Sequence, residues 1–312
     1  MTTRLRILIS TALLLAGLIW AAPPPSLDFV HISDTHVNAL EGVEPQIVAA
    51  LKAKANANAN LRTALAALGA TSPAPAFALI TGDLVEGRQF EGVGGKTVAG
   101  QIQTFIGIVR GSRTPIYATL GNHDLTSYKP AAGKPAADLS GAAESRKEWA
   151  RAFAPLHGGV YYSFRRDVGR TQYLFILLDN GEAESRNPGY TATQVEWLKE
   201  RLASHRAGPI VVALHLPLPS ATHGRAIQEA LAGAPNVALL LAGHRHSDGV
   251  ETVQLGRPTT QVRTAALFLS AQNWRRVRLL EDRIEVFATG KPDERIATVT
   301  LAPVAVPAGA AR

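Results

Sequence analysis

The 312-residue chain contains no cysteine and a single methionine. Without thiols it has no thiolate metal ligand, no disulfide and no lipid-attachment cysteine, so any metal must be bound through oxygen and imidazole nitrogen. Acidic side chains are the minority, 25 Asp and Glu against 32 Lys and Arg, which leaves a net charge of +7. A basic excess is one mark of nucleic-acid binding. Here aromatics make up only 6% of the chain, and no Lys/Arg block is interleaved with them. The Arg doublets Arg165-Arg166 and Arg275-Arg276 stand apart, so no specific nucleic-acid signal is present. A solvated basic surface with some attraction for anionic substrates or an anionic membrane is the expectation. No repeat or linker divides the chain, and a hydrophobic content of 46% suits one large α/β domain.

Long apolar runs are also scarce. Ile7 to Ala22 is one, preceded by Arg4 and Arg6 and followed by Pro23-Pro24-Pro25. It falls short of the roughly 20 apolar residues that a spanning helix needs and reads as a secretory signal over residues 1–25. Export to the periplasm or medium follows. Trp20 or Ile19 stands where a signal peptidase requires a small residue, so an uncleaved membrane anchor is the alternative. Residues 26–302 are expected to form the domain, and the Pro/Ala-rich residues 303–312 a disordered tail.

What the chain does have is a series of apolar runs, each ending in a polar signature. Phe29 to Ile32 precedes Asp34-Thr-His36, and Phe77 to Ile80 precedes Gly82-Asp83. Ile116 to Leu120 precedes Gly121-Asn122-His123-Asp124, Ile210 to Leu214 precedes His215, and Val237 to Ala242 precedes Gly243-His244-Arg245-His246. Runs of this length predict buried strands. Helical spacing between them, at Leu61 to Leu68, Ile102 to Val109 and Val195 to Leu202, predicts an α/β architecture with a mainly parallel central sheet. In such a sheet the carboxyl ends of the strands share one edge, so the five signatures converge there. Carboxylate with imidazole suits borderline transition metals rather than Mg or Ca.

These signatures, in this order, resemble the calcineurin-like metallophosphoesterases over about Asp28 to Asp248. The resemblance implies a four-layer α/β/β/α fold, a two-sheet β-sandwich flanked by helices. Short alternating strands after His246 would supply its second sheet. It implies two divalent transition-metal ions, with Mn, Fe or Zn expected. Asp34, His36 and His246 would hold the first ion and Asn122, His215 and His244 the second, with Asp83 bridging both. His123 would face the leaving group as general acid or charge stabiliser, with Asp124 orienting its ring.

Four further histidines are read differently. His31 lies inside a strand and is expected to be a satisfied core imidazole or one lying behind the ligands. His157 and His205 read as solvated, and His223 as a residue overhanging the site. Arg245, between two ligand histidines, points toward or away from phosphate. The Ala/Asn-rich stretch 53–60 reads as a variable loop or a helix start, and Leu125 to Glu144 as an insertion able to cover the site.

Within the family, Glu86 stands where purple acid phosphatases have tyrosine, three residues after the bridging aspartate. No room exists for the carboxyl-terminal domain of secreted 5′-nucleotidases, and Asp124 replaces the Glu of the protein phosphatases. The segment His31-Ile-Ser-Asp-Thr-His36 is most similar to compact bacterial phosphodiesterases. The expected activity is hydrolysis of small-molecule phosphate esters, diesters before monoesters, by a metal-bridging hydroxide. A broad phosphomonoesterase, an exported phosphate-ligand-binding protein of the same fold and a nuclease are the alternatives.

Overall fold

The computed structural model describes residues 24–132, 134–154, 159–179, 191–219 and 224–301. The first sheet contains β1 (Ser26–Ile32), β2 (Ala78–Thr81), β5 (Ile116–Thr119), β14 (Trp274–Leu280), β15 (Arg283–Ala288) and β16 (Lys291–Thr300), in the order β16-β15-β14-β1-β2-β5. The second contains β8 (Tyr162–Val168), β9 (Thr171–Leu177), β10 (Ile210–Ala213), β11 (Val237–Ala242), β12 (Gly249–Gln254) and β13 (Pro258–Arg263), in the order β12-β13-β11-β10-β9-β8.

Neither sheet is purely parallel. β1, β2 and β5 run parallel, as do β9, β10, β11 and β13, while β14–β16, β12 and β8 are antiparallel to their neighbours. The expected mainly parallel sheet is corrected to two mixed sheets. The strands after His246 also do not form one sheet of their own: β12 and β13 extend the second, and β14–β16 extend the first. Short strands with one solvated face carry no signal of which edge they will join.

β2, β10 and β11, which have parallel neighbours on both sides, read as apolar runs because both of their faces are covered. Side chains alternate along a strand, so Val30 and Ile32 of β1 face the helices while Phe29 faces the other sheet. In β11, Leu240 and Ala242 pack outward and Leu239 and Leu241 inward. Phe29 stacks on Phe77 with ring centroids 5.0 Å apart, and Phe175 from the second sheet meets both edge-on. Truncating Phe175 to Ala would cost about 3–5 kcal/mol.

Helices α2 (Ala57–Ala70), α3 (Gln101–Arg110) and α4 (Ala142–Phe153) cover the first sheet through Leu61, Leu65, Phe105, Val109 and Trp149. Helices α5 (Ala192–Ala203) and α6 (Arg225–Ala232) cover the second through Val195, Leu198, Ile227 and Leu231. Thr191 starts α5 by accepting the Gln194 N–H at 3.2 Å. The result is the expected α/β/β/α layering. Among the described residues no helix is long and apolar enough to cross a membrane; Ile7 to Ala22 lies outside them.

The stretch Leu125 to Glu144 is more ordered than a loop insertion. β6 (Ser127–Lys129) and β7 (Ala136–Asp138) join β3 (Gln89–Gly92) and β4 (Lys96–Val98) in a third, four-stranded sheet, and α4 begins before the stretch ends. The Ala/Asn-rich stretch holds the start of α2. Asn58 bonds the Asn38 backbone, and Asn60 donates to the Leu267 and Phe268 carbonyls.

Candidate metal centre

The polar signatures follow β1, β2, β5, β10 and β11 at their carboxyl ends. Because β1-β2-β5 are adjacent in one sheet and β10-β11 in the other, the five loops meet across the sandwich. Asp34 N donates to Gly82 O at 3.1 Å, His36 N to Asp83 O at 2.9 Å, and Gly243 N to His215 O at 2.9 Å. These bonds tie the loops in register.

Donor atoms of Asp34, His36, Asp83 and His246 gather in one group, and those of Asp83, His215 and His244 in a second, all within 4.8 Å of one another in each. His36 Nε2 lies 3.3 Å from His246 Nε2 and 3.6 Å from Asp83 Oδ2. His215 Nε2 lies 3.2 Å from Asp83 Oδ2 and 3.1 Å from Asn122 Oδ1. Asp83 thus belongs to both groups, and Asn122 sits beside the second.

The backbone conformation is concentrated at the same place. Asp34, His36, Asp83, His244 and His246 have positive φ, at 53°, 45°, 49°, 68° and 56°, and they are the non-glycine residues in that region among those described. L-residues adopt it at a cost, and such strain collects at functional sites. Close-packed glycines hold the positions. A Cβ on Gly82 would lie 2.7 Å from His215 Cβ, and one on Gly243 would lie 2.7 Å from Asp34 Oδ2.

The donor set fits divalent ions. Asp34 Oδ1 is buried and accepts no hydrogen bond, although His246 Nε2 stands 3.3 Å away; its partner oxygen is satisfied by Ser33 Oγ at 2.6 Å and His244 N at 3.1 Å. His215 Nδ1 lies 2.8 Å from Thr81 O. A carbonyl only accepts, so Nδ1 carries the proton and Nε2 turns a lone pair to Asp83 and Asn122. His36 Nδ1 lies 2.8 Å from Glu86 Oε2, an ion-pair contact outside hydrogen-bond geometry, and its Nε2 is turned toward Asp34 and Asp83. Imidazole lone pairs and carboxylate oxygens converging in a buried site call for a cation.

The electrostatics agree. Burial pushes the Asp83 carboxyl up, but the charges of His215, His123 and His36 hold it well below the usual range. Burial acts to lower His215, yet Asp83 and Asp34 lift its imidazole to about 10.

His123 is partly exposed at the edge of the site. Its N–H donates to Asp83 Oδ1 at 2.9 Å, and its Nδ1 meets Glu86 O at 2.8 Å and Tyr128 Oη at 2.9 Å. The expectation that Asp124 orients this ring is corrected. Asp124 is fully buried and accepts N–H bonds from Val85 at 2.9 Å and Gly121 at 2.7 Å. Burial, with the nearby Asp83 charge, holds its carboxyl well above the usual range. Asp124 braces the loop that carries Asn122 and His123 instead of touching the imidazole.

Glu86 was noted in the sequence only as a departure from the purple acid phosphatases. It is 3% exposed and lies against His36, His123 and Lys54. Its burial pushes the carboxyl up, but His36, His123 and Lys54 carry it down to about 2. Its place three residues after Asp83, on the same loop, was the signal the sequence offered.

His31 is buried between Thr81 Oγ1 and Thr264 Oγ1, at 2.8 Å on each ring nitrogen. His205 is not solvated as expected but buried at 7% exposure, at the end of α5 beneath Gln172 and Gly208. His157 and His223 lie outside the described residues. Arg245 is exposed.

The calcineurin-like phosphoesterase profile matches residues 27–248. The chain belongs to the calcineurin-like phosphoesterase family. No curated protein sequence matches it. A dimetal phosphatase from Danio rerio superposes with a TM-score of 0.57 at 15% identity, covering 89% of this chain and 100% of that one. GAP50, the anchor in the inner membrane complex of Plasmodium, gives 0.56 at 13% identity over 89% and 90% of the two chains. The purple acid phosphatase PPD1 from yellow lupin seeds gives 0.55 at 12% identity over 90% of this chain and 54% of its own. At these identities the structures share the fold. Family membership and the clustered donors support metal-dependent hydrolysis of phosphate esters.

Proposed function

We propose that the chain is a two-metal phosphodiesterase acting on small phosphate esters. The observation that carries the reading is Asp83, whose carboxylate belongs to both donor groups. In this reading Asp34, His36 and His246 hold one ion, Asn122, His215 and His244 the other, and Asp83 joins them. Bound there, Mn, Fe or Zn ions supply Lewis acidity and a hydroxide nucleophile at neutral pH.

The chain's own residues do the rest. Asn122 contributes a neutral amide oxygen, leaving the site electropositive toward phosphate. His123 is held through Nδ1, which leaves Nε2 as the atom that, in the protonated ring, would donate to the departing oxygen. Preference for diesters is supported by the His31-Ile-Ser-Asp-Thr-His36 segment, which resembles compact bacterial phosphodiesterases. Residues 1–25 serve in this proposal as an export signal or anchor, placing the enzyme outside the cytoplasm.

The test is hydrolysis of bis(p-nitrophenyl) phosphate against p-nitrophenyl phosphate by Mn-loaded protein, with Asp83→Ala and His123→Ala alongside. Faster diester turnover is expected, lost with the metal in Asp83→Ala and lowered about 10²–10⁴-fold with metal retained in His123→Ala. A monoester preference would replace diesterase with phosphatase. Two bound metals and no turnover on either ester would leave a binding protein.

A further inference from the structure

We propose that Glu86, held in place by Lys54, is a positioning residue that fixes His36 with Nε2 turned to the first metal position. The inference rests on the two-metal reading above. His36 and Glu86 are both buried, and Glu86 Oε2 lies 2.8 Å from His36 Nδ1. The same oxygen takes the Lys54 ammonium, which comes from the 3-10 turn Lys52–Lys54. Lys54 is in turn set over the Phe268 ring at 5.4 Å, and Phe268 meets His36 and His246 edge-on at 5.0 and 5.1 Å.

The backbone leaves this contact little freedom. Val37 N donates to Leu84 O at 3.0 Å and Glu86 N to Val37 O at 2.9 Å, a short parallel bridge between the two loops. His36 and Glu86 therefore flank one ladder, and the loop carrying Asp83 also carries the group that aims His36. The contact is a charge contact rather than an aligned hydrogen bond; a carboxylate charge beside the far nitrogen of an imidazole favours the tautomer with its proton on that side and strengthens the opposite donor atom.

His36, Glu86 and His123 also form a third group of clustered donor atoms. A buried carboxylate needs a cation, and here the Lys54 ammonium supplies it. The group is thus read as support for the first ion, and the protein is expected to hold two ions per chain.

The test strips metal from the full chain and titrates it with Zn against a chromophoric chelator, for wild type, Glu86→Gln and Glu86→Ala. The melting temperature of each metal-free protein is the second readout. Gln keeps an acceptor near Nδ1 but no charge. One of two sites is expected to weaken about 10–100-fold in Glu86→Gln, and further in Glu86→Ala, with the other site unchanged. Affinities within twofold of wild type at both sites would overturn the inference, as would equal loss at both sites with a lowered metal-free melting temperature. A wild-type chain that binds no Zn would overturn the two-metal reading itself.

Discussion

Asp83 Oδ1 accepts the His123 backbone N–H at 2.9 Å, while its Oδ2 stands 3.2 Å from His215 Nε2. One carboxylate therefore locks the loop after β5 to the centre of the donor cluster. Moving Asp83 moves the proposed leaving-group histidine with it.

Gly121 makes this lock sterically possible. A Cβ there would lie 2.9 Å from Asp83 Cγ and closer still to Asp83 N and Oδ1. Gly121→Ala is expected to displace Asp83, lower metal content at both positions and cost about 1–3 kcal/mol of stability through overpacking. Elemental analysis and urea unfolding check it, and full metal content at native stability would contradict it.

Asp124→Asn separates bracing from catalysis. The amide nitrogen would face either the Val85 or the Gly121 N–H, leaving a buried donor unmet at about 1–3 kcal/mol. The urea midpoint should fall, while kcat at saturating metal changes less than in His123→Ala. A loss of kcat alone, with the midpoint unmoved, would give Asp124 back its expected role at the imidazole.

Chelation is expected to destabilise the fold. Asp34 Oδ1 lacks a donor and five ligand-bearing residues hold a costly backbone, so metal binding stabilises what the chain alone does not. At 100 times Kd a bound ion adds about 2.7 kcal/mol per site. Melting should shift downward in EDTA and return with Mn or Zn. An identical melting curve in both conditions would count against a metal-binding site.

His31 sets an acid limit. Burial, aided by the Arg275 charge, drives its imidazole from 6.5 down to about 3. The unfolded chain takes up this proton first, so the stability contribution is complete above about 6.5 and is lost as pH falls toward about 3. The full effect is on the order of 5 kcal/mol. Urea unfolding of wild type and His31→Gln between pH 7.5 and 4.5 should show a steeper loss in wild type by up to about 1.4 kcal/mol per pH unit; parallel curves would refute it.

Much of this architecture was legible in residue order. β1, β2, β10 and β11 are buried on both faces, so their runs of Val, Ile, Leu and Phe stand out, and the loops that follow carry polar residues with little else to do. Legibility failed where a partner comes from far away. The third sheet is built from strands of three or four residues, too short for a period to appear. Asp124 follows His123 in sequence, yet its carboxylate turns to the Val85 N–H 39 positions earlier. Glu86 looks like a solvated loop residue until Lys54 and His36 close over it.

The pairing of β1 with β14 joins Ser26 to Leu280 and Ile32 to Trp274. A nascent chain that has emerged only as far as Asp248 carries every residue proposed here to bind metal, but its first strand still has an open hydrogen-bonding edge. Such edges template aggregation, and contacts this distant in sequence form slowly. The strands β14–β16, which add no side chain to the metal cluster, are thus the closing latch of synthesis: truncations that spare all the chemistry should be recovered as insoluble protein rather than as a smaller enzyme.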